Sequence, residues 1–310
     1  EDKRFGEEIG AIICWKKDVD KAMAMSNLRY KLINGSDLGM YDAPQYLVSF
    51  DSKDLPMTSS GKVQRSELKN IIKKENFEKL NLIYKSSKYR FLYLLANASY
   101  FTQAFDLYNY CWNPLTLDME QFRKQAEGGN AIVALDNESK VQGLILLIRT
   151  NNSENELSLI SYKKLTATNK DRIVSSNGEN FVCVAICSSN YKPQEIPNVD
   201  RSPSVEEVKQ YLFFGKDGVY NFHTKAKGGF DKGASLVKII PNGRPEDKRA
   251  LGYNMLLKYP KIDREIHLTE NASIATQLIE AVMLVAKKLG IENVYAFSRP
   301  ADAAKYFSKN

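Results

Sequence analysis

The sequence predicts an α+β protein in two parts, a small subdomain over residues 1–78 and a larger domain over 79–310. Three observations carry this. The length of 310 residues suffices for two cores that each offset their ordering entropy. Short apolar runs such as IGAIICW, AIVAL and FVCVAIC alternate with helical stripes. Between the parts lies KLNLIYKSSKYR, Lys79 to Arg90, whose basic residues and serines read as a junction.

Taken in order, Ile9 to Trp15 is rich in β-branched and apolar residues and is expected as a buried strand. A helix follows over Ala22 to Ile33. Pro44 to Asp51 (PQYLVSFD) alternates like a half-buried strand, ahead of a loop and a charged helix from Ser66 to Glu75. Beyond the junction, Phe91, Leu94, Leu95, Tyr100, Phe101, Phe105 and Tyr108 approximate a helical stripe. Ala131 to Leu135 and Val141 to Ile148, joined by DNESK, form a hairpin, and Phe181 to Cys187 is a third strand. Ser204 to Phe213 is a short helix capped by Ser204, with Glu206 and Glu207 near its positive end. Ala234 to Ile240 and Leu251 to Tyr259 are further strands. The clearest helix is Ser273 to Leu289, with Ile274, Leu278, Val282, Val285 and Leu289 on one core-facing side and Gly290 just past its end. The strand ENVYAF and a terminal helix from Ala301 close the chain. There is no internal repeat.

Composition removes several classes of function. With 43% hydrophobic and 26% charged residues, no apolar run approaches the roughly 20 residues of a membrane helix. The net charge of +7 suits anionic partners, yet Lys and Arg interleave with Asp and Glu in the manner of a solvated surface, so nucleic acid is not expected. Four cysteines without metal spacing and only two histidines argue against zinc. The opening EDKRFGEE has no secretion pattern and reads as the cut end of a longer, cytoplasmic chain.

The loop LPMTSSGKVQR holds Lys62 behind Gly61. A lysine there offers a compact charge to a phosphoryl or carboxylate oxygen; alternatively it is a solvated lysine in a turn. With DKRFGEEIGAII and YDAPQYLVSF, this loop resembles the C-terminal subdomain of the acyl- and aryl-adenylating enzymes, the acyl-CoA synthetases and fatty-acyl-AMP ligases. The resemblance covers about the first 75 residues, and its most specific string is LP-x-T-x-x-G-K-x-x-R. It implies that Lys62 bridges the acyl carboxylate and the α-phosphate as the acyl-adenylate forms from ATP. The sequence departs from the pattern at Asp42, where many members carry lysine. In this family most of the ATP and AMP contacts lie on a larger N-terminal adenylation domain, the implied partner. One lysine cannot supply binding, magnesium and orientation, so the chain alone is not expected to adenylate acids.

In the second region VQGLILLIRT, FVCVAIC, the segment from YNFHTKAK to LLKYP, and LIEAVMLVAKKLGIENVYAFSRP resemble the GNAT acyltransferase fold. More narrowly they are similar to the GNAT-like loading domains of polyketide synthases, some of which are described as malonyl decarboxylases. The resemblance implies an α/β domain with a mixed sheet, acyl-CoA or phosphopantetheine as acyl carrier, and an acyl carrier protein as partner. It assigns the acyl site to His223, to Arg244 before Pro-x-Asp, and to Ser298 as a conservative change from threonine. A histidine exchanges protons at neutral pH, an arginine holds a carboxylate through two bonds, and a hydroxyl steadies a thioester oxygen. The order of segments departs from the family, because the helix and strand bearing Ser298 follow the FH pair. Either the domain is rearranged or a second, truncated unit begins after 262. The Gly-rich pyrophosphate turn is also replaced, its nearest reading being Glu270, Ser273 and Ala275. Glutamate there repels phosphate and Ser273 narrows the approach, which counts against Coenzyme A.

Plainer readings stand beside these. His223 is also a packing residue, Arg244 a partner of Glu246 or Asp247, and Ser298 with Arg299 a cap for the last helix. Trp112, Tyr108, Tyr110 and Tyr162 read as core or rim, and Cys183 and Cys187 as packing residues. Three functions follow: an acyl-AMP ligase lid joined to an acyltransferase that loads a carrier; the same lid joined to an inactive docking scaffold; or a conventional N-acetyltransferase.

Overall fold

A computed structural model describes residues 10–16, 18–33, 44–72, 78–96, 98–127, 130–167, 173–175, 177–192, 195–215, 217–225, 232–261 and 268–309. The segment DKRFGEE, Asp42, the end of the charged helix at 73–75 and His267 lie outside the described residues. The chain forms two compact units, Glu1–Leu82 and Ile83–Asn310.

The first unit orders β1 (Gly10–Cys14), α1 (Lys21–Ile33), β2 (Tyr46–Phe50), α2 (Arg65–Ile71) and β3 (Glu78–Lys79). Strands β1 and β2 are parallel, so a crossover must join them, and α1 lies in that connection. β3 pairs antiparallel with β2. Tyr30, Leu47, Val48, Ile72 and Leu80 are buried. The expectation that IGAIICW is a buried strand is corrected: β1 is an edge of a three-stranded sheet, and its residues are half-buried or exposed.

The second unit opens within β4 (Leu82–Lys85), which starts at the boundary, and runs on through β5 (Arg90–Tyr93), α3 (Phe101–Trp112), α4 (Met119–Ala126), β6 (Ala131–Leu135) and β7 (Val141–Thr150). It continues through α5 (Glu154–Leu157), α6 (Tyr162–Leu165), β8 (Asn180–Ser188), α7 (Val205–Phe213), α8 (Gly218–Thr224), β9 (Ser235–Ile240) and β10 (Asn254–Lys258). Last come α9 (Ile274–Leu289), β11 (Asn293–Ser298) and α10 (Ala303–Phe307). One eight-stranded mixed sheet runs β4-β5-β6-β7-β8-β11-β10-β9.

The structure differs from expectation in four places. The junction folds as β3 and β4, and the stripe expected as one helix is divided: Phe91 to Leu94 are buried in succession, as in a strand covered on both faces, and the helix starts only at Phe101. Helix α4, not foreseen, is held by a capping box in which Asp118 and Gln121 satisfy each other's backbone N–H. Helix α9 is buried on nearly all sides, not one: Gln277 and Glu280 are 0% exposed, and the Glu280 carboxylate accepts from Thr269 N and Oγ1, both at 2.8 Å. Finally, β11 enters the same sheet between β8 and β10, so the residues after 262 complete this sheet instead of starting another.

Two features of the sheet position the candidate site. β8 and β11 are parallel neighbours paired over four positions, from Asn180↔Asn293 to Cys183↔Ala296. Past that point β8 continues against β7 as far as Ser188, while β11 continues against β10 at Ser298, so the two strands part at their carboxyl ends. The bulge in the β7–β8 ladder lies at the same level, where Leu146 faces Ala185 and Leu147 faces Cys183. The two faces carry different helices. Gly143 approaches α9 so closely that an added Cβ would meet Ile274 Cγ2 at 2.3 Å, whereas Cys187, opposite Leu144, lies beside Cys111 of α3. Neighbouring strand positions point to opposite faces, so α9 covers one face and α3 the other.

Candidate functional sites

In the first unit the LPMTSSGKVQR loop is a tight, internally bonded turn. Thr58 N donates to Lys62 O at 2.8 Å, Gly61 N to Thr58 O at 2.9 Å, and Lys62 N to Thr58 Oγ1 at 3.0 Å. A bridge between Met57 and Val63 closes its base. Gly61 sits at φ +77°, which a side chain would strain, and Lys62 is exposed at the tip. The loop therefore presents the ammonium on a fixed backbone.

In the second unit Arg244 lies in the connection between β9 and β10. That connection is tied to itself by Arg244 N to Gly252 O at 3.1 Å and Gly252 N to Asp247 O at 3.0 Å. It is tied to α6 by Tyr162 N donating to Gly243 O at 2.7 Å. The second tie brings the Tyr162 ring under the guanidinium. Arg244 Cζ lies 3.9 Å from the Tyr162 centroid and 5.0 Å from that of Trp112, and the two rings stack at 6.4 Å. Arg244 thus lies against two aromatic rings, an arrangement worth about 2 kcal/mol when desolvated. Burial pushes the Tyr162 hydroxyl up, with the Arg244 cation opposing, so the phenol stays neutral.

A second guanidinium shares the indole: Arg299 Cζ is 4.4 Å from the Trp112 ring. The two cations are satisfied differently. Arg299 Nη1 donates to Asp247 Oδ2 at 3.0 Å, with exposures of 9% and 2%. Arg244 Nε reaches Glu246 Oε1 only at 3.4 Å, with Glu246 54% exposed. Arg244 Nη1 is buried without a hydrogen-bond partner among the described residues, whereas the Tyr162 hydroxyl interacts with that of Tyr108 and the Trp112 indole with Cys187. Of the two plainer readings of Arg244, the structure shows the Glu246 pairing, while Asp247 is given to Arg299. Ser298 and Arg299 do not cap α10, whose N-cap is Asp302.

His223 lies in the last turn of α8 and is 4% exposed. Its Nδ1 lies 2.6 Å from Tyr259 Oη, and its ring meets Phe222 edge-on at 5.0 Å. A cavity of about 20 Å³ beside it, lined by Tyr259, Thr276 and Ile279, has room for a single water. Thr276 and Ile279 belong to α9, so His223 lies on the α9 face. Phe297 packs on Tyr162 at 6.3 Å, which by strand alternation turns Ser298 to the α9 face as well. The structure therefore sets His223 and Ser298 on one face and Arg244 on the other, with Ser298 just past the level where β8 and β11 part.

Ser273 is the N-cap of α9. Its hydroxyl accepts from Thr276 N at 3.2 Å and bonds Thr276 Oγ1 at 2.9 Å. Ala275 is half-buried in the first turn, and the Glu270 carboxylate accepts from Ser87 N and Oγ. The serine cap thus takes the Thr276 amide, one of the first-turn donors that a pyrophosphate would use. Cys183 and Cys187 lie on opposite faces across the bulge. Burial pushes the Cys183 thiol up to about 12 and raises Cys187, so neither is a thiolate at neutral pH.

Trp112, Tyr162, Arg299 and Asp247 were not singled out as site residues from sequence. The available signal was the repeated Arg-Pro step, in NGRPED and again in AFSRPAD. No family model and no curated protein matches the chain. The loading GNATL domain of CurA from Lyngbya majuscula is similar at 14% identity and a TM-score of 0.36, over 55% of this chain and 96% of that one. The GphF GNAT-like decarboxylase in complex with isobutyryl-CoA is similar at 14% identity and a TM-score of 0.35, over 54% and 96%. Likenesses of that degree leave function to the side chains.

Proposed function

We propose that the chain joins the mobile lid of an acyl-adenylating ligase to a GNAT-like domain that handles an acyl group for a carrier protein. The observation that carries the first half is the LPMTSSGKVQR loop, folded as a closed turn with Lys62 exposed at its tip. Lys62 would neutralise charge between an acyl carboxylate and the α-phosphate of ATP when an adenylation domain of the parent chain supplies the remaining contacts. The second half rests on the parting of β8 and β11, since crevices outside the carboxyl ends of parallel strands are where such sheets bind ligands. A group entering there would meet His223 and Ser298 on one side and Arg244 on the other. The acyl group would arrive on the phosphopantetheine of a carrier protein, a reading that the serine-capped start of α9 supports.

The test incubates the protein with a phosphopantetheinylated carrier and acetyl- or malonyl-CoA, and with a malonylated carrier, and weighs the carrier by mass spectrometry. Acyl addition or loss of carbon dioxide that is abolished by His223→Ala and kept by Lys62→Ala supports the reading; an unchanged carrier mass in every arm refutes the transferase. For the lid, acyl-adenylate formation with the adenylation domain in trans should fall with Lys62→Ala. One observation favours a second reading, an inactive docking scaffold: the cavity beside His223 holds only about 20 Å³.

A further inference from the structure

Two adjacent acids face two buried arginines that share one indole, and the two pairs differ in kind. Asp247 is 2% exposed, bonds Arg299 at 3.0 Å and also accepts from Arg249 N and Ala250 N. That pair is closed, and its charges cancel. Glu246 is 54% exposed and reaches Arg244 Nε at 3.4 Å, a long contact from a solvated side chain. Such a contact contributes little, so water or another anion competes with it readily. Arg244 meanwhile is 6% exposed, packed against Tyr162 and Trp112, and its Nη1 has no partner among the described residues. A buried guanidinium edge that is left half-satisfied is costly, and a planar two-oxygen acceptor would satisfy it.

We propose that Arg244 binds a singly charged carboxylate, that Glu246 occupies the position as a displaceable internal ligand, and that the Arg299–Asp247 pair limits the site to one negative charge. This rests on the acyl-site reading of Arg244 and adds what the site selects and what it must release. The Glu246 carboxylate swings to solvent as the ligand carboxylate takes Nε and Nη1. A neutral acyl group leaves the guanidinium edge unpaired, and a dianion brings a second charge for which the closed Arg299–Asp247 pair offers no free cation.

Trp112 reports the site directly. Trp15→Phe removes the other tryptophan, and the emission of Trp112 is followed as the full chain is titrated at constant ionic strength with propionate, propionamide or inorganic phosphate. Propionate should saturate the change in emission and propionamide should not, with phosphate binding more weakly than propionate. Glu246→Gln should tighten propionate by roughly two- to fivefold, the worth of an exposed ion pair. Arg244→Gln should weaken it by about tenfold or more. No saturable change in the Glu246→Gln variant, an affinity unaltered by that substitution, or equal binding of propionamide overturns the proposal. Glu246→Gln is a surface change and keeps the test valid if Arg244→Gln fails to fold. The titration uses neither carrier nor acyl donor, so saturable binding beside an unchanged carrier mass retires the transferase and keeps the site.

Discussion

Replacing Arg299 by methionine should destabilise the second unit, and the surroundings of Asp247 set the amount. The substitution keeps most of the side-chain volume against Trp112 but leaves a carboxylate 2% exposed without its counter-charge. Removing one partner of a buried pair costs about 3–5 kcal/mol. Asp247 retains backbone donors at Arg249 N (3.1 Å) and Ala250 N (3.3 Å), which places the loss toward the lower end, about 3 kcal/mol. For a unit of this size each kcal/mol moves the midpoint by about 2–4 °C, so Tm should fall by about 6–12 °C. Trp112 emission in the Trp15→Phe background follows the second unit alone. The double variant Arg299→Met, Asp247→Asn removes the orphaned charge and should recover more than half of the loss. A Tm change under about 2 °C for Arg299→Met, or a double variant no better than the single, would mean that the pair is not what holds this loop.

The other substitutions test separate parts of the fold. Gly143→Ala drives a methyl into Ile274 Cγ2 and Leu278 Cδ1, at 2.3 and 3.0 Å, and should cost about 1–3 kcal/mol in urea unfolding. Ser204→Ala breaks the cap of α7 and should cost about 1 kcal/mol. The Ser204 backbone N–H, with Arg201 beside it, holds the Glu207 carboxyl down to about 2. Its folded value is depressed, so its contribution is full above the usual carboxylate range and is lost as pH falls toward 2. The stability gap between the wild type and Glu207→Ala should accordingly narrow between pH 5 and pH 2 and stay level above. Lys62→Ala, at an exposed tip, should leave the melting profile unchanged.

The sequence makes some elements legible because their cause is local. The 6-, 5- and 10-residue strands β11, β6 and β7 are apolar runs bounded by turn residues, and α9 and α7 announce their caps at Ser273, Gly290 and Ser204. The misread segments have causes at a distance. Phe91 to Leu94 fit a helical stripe as well as a strand, and only pairing with β6 decides between them. The edge position of β1 depends on how many strands the first sheet contains. At the site, His223 and Arg244 stood out from the sequence, but their separation onto two faces depends on the register of strands far apart in the chain. Trp112 and Tyr162 become a clamp only because Gly243 O accepts from Tyr162 N, a contact across 81 residues.

The place of β11 also bears on how the protein is made. It sits in the middle of the sheet yet is the last strand to leave the ribosome, after both of its neighbours. Until then β8 and β10 each hold an open edge, a template for pairing with another chain. The nascent protein must keep two such edges apart from other molecules through the whole synthesis of α9. Truncation before Asn293 should therefore leave two unpaired edges and raise aggregation, which light scattering of the truncated chain would check.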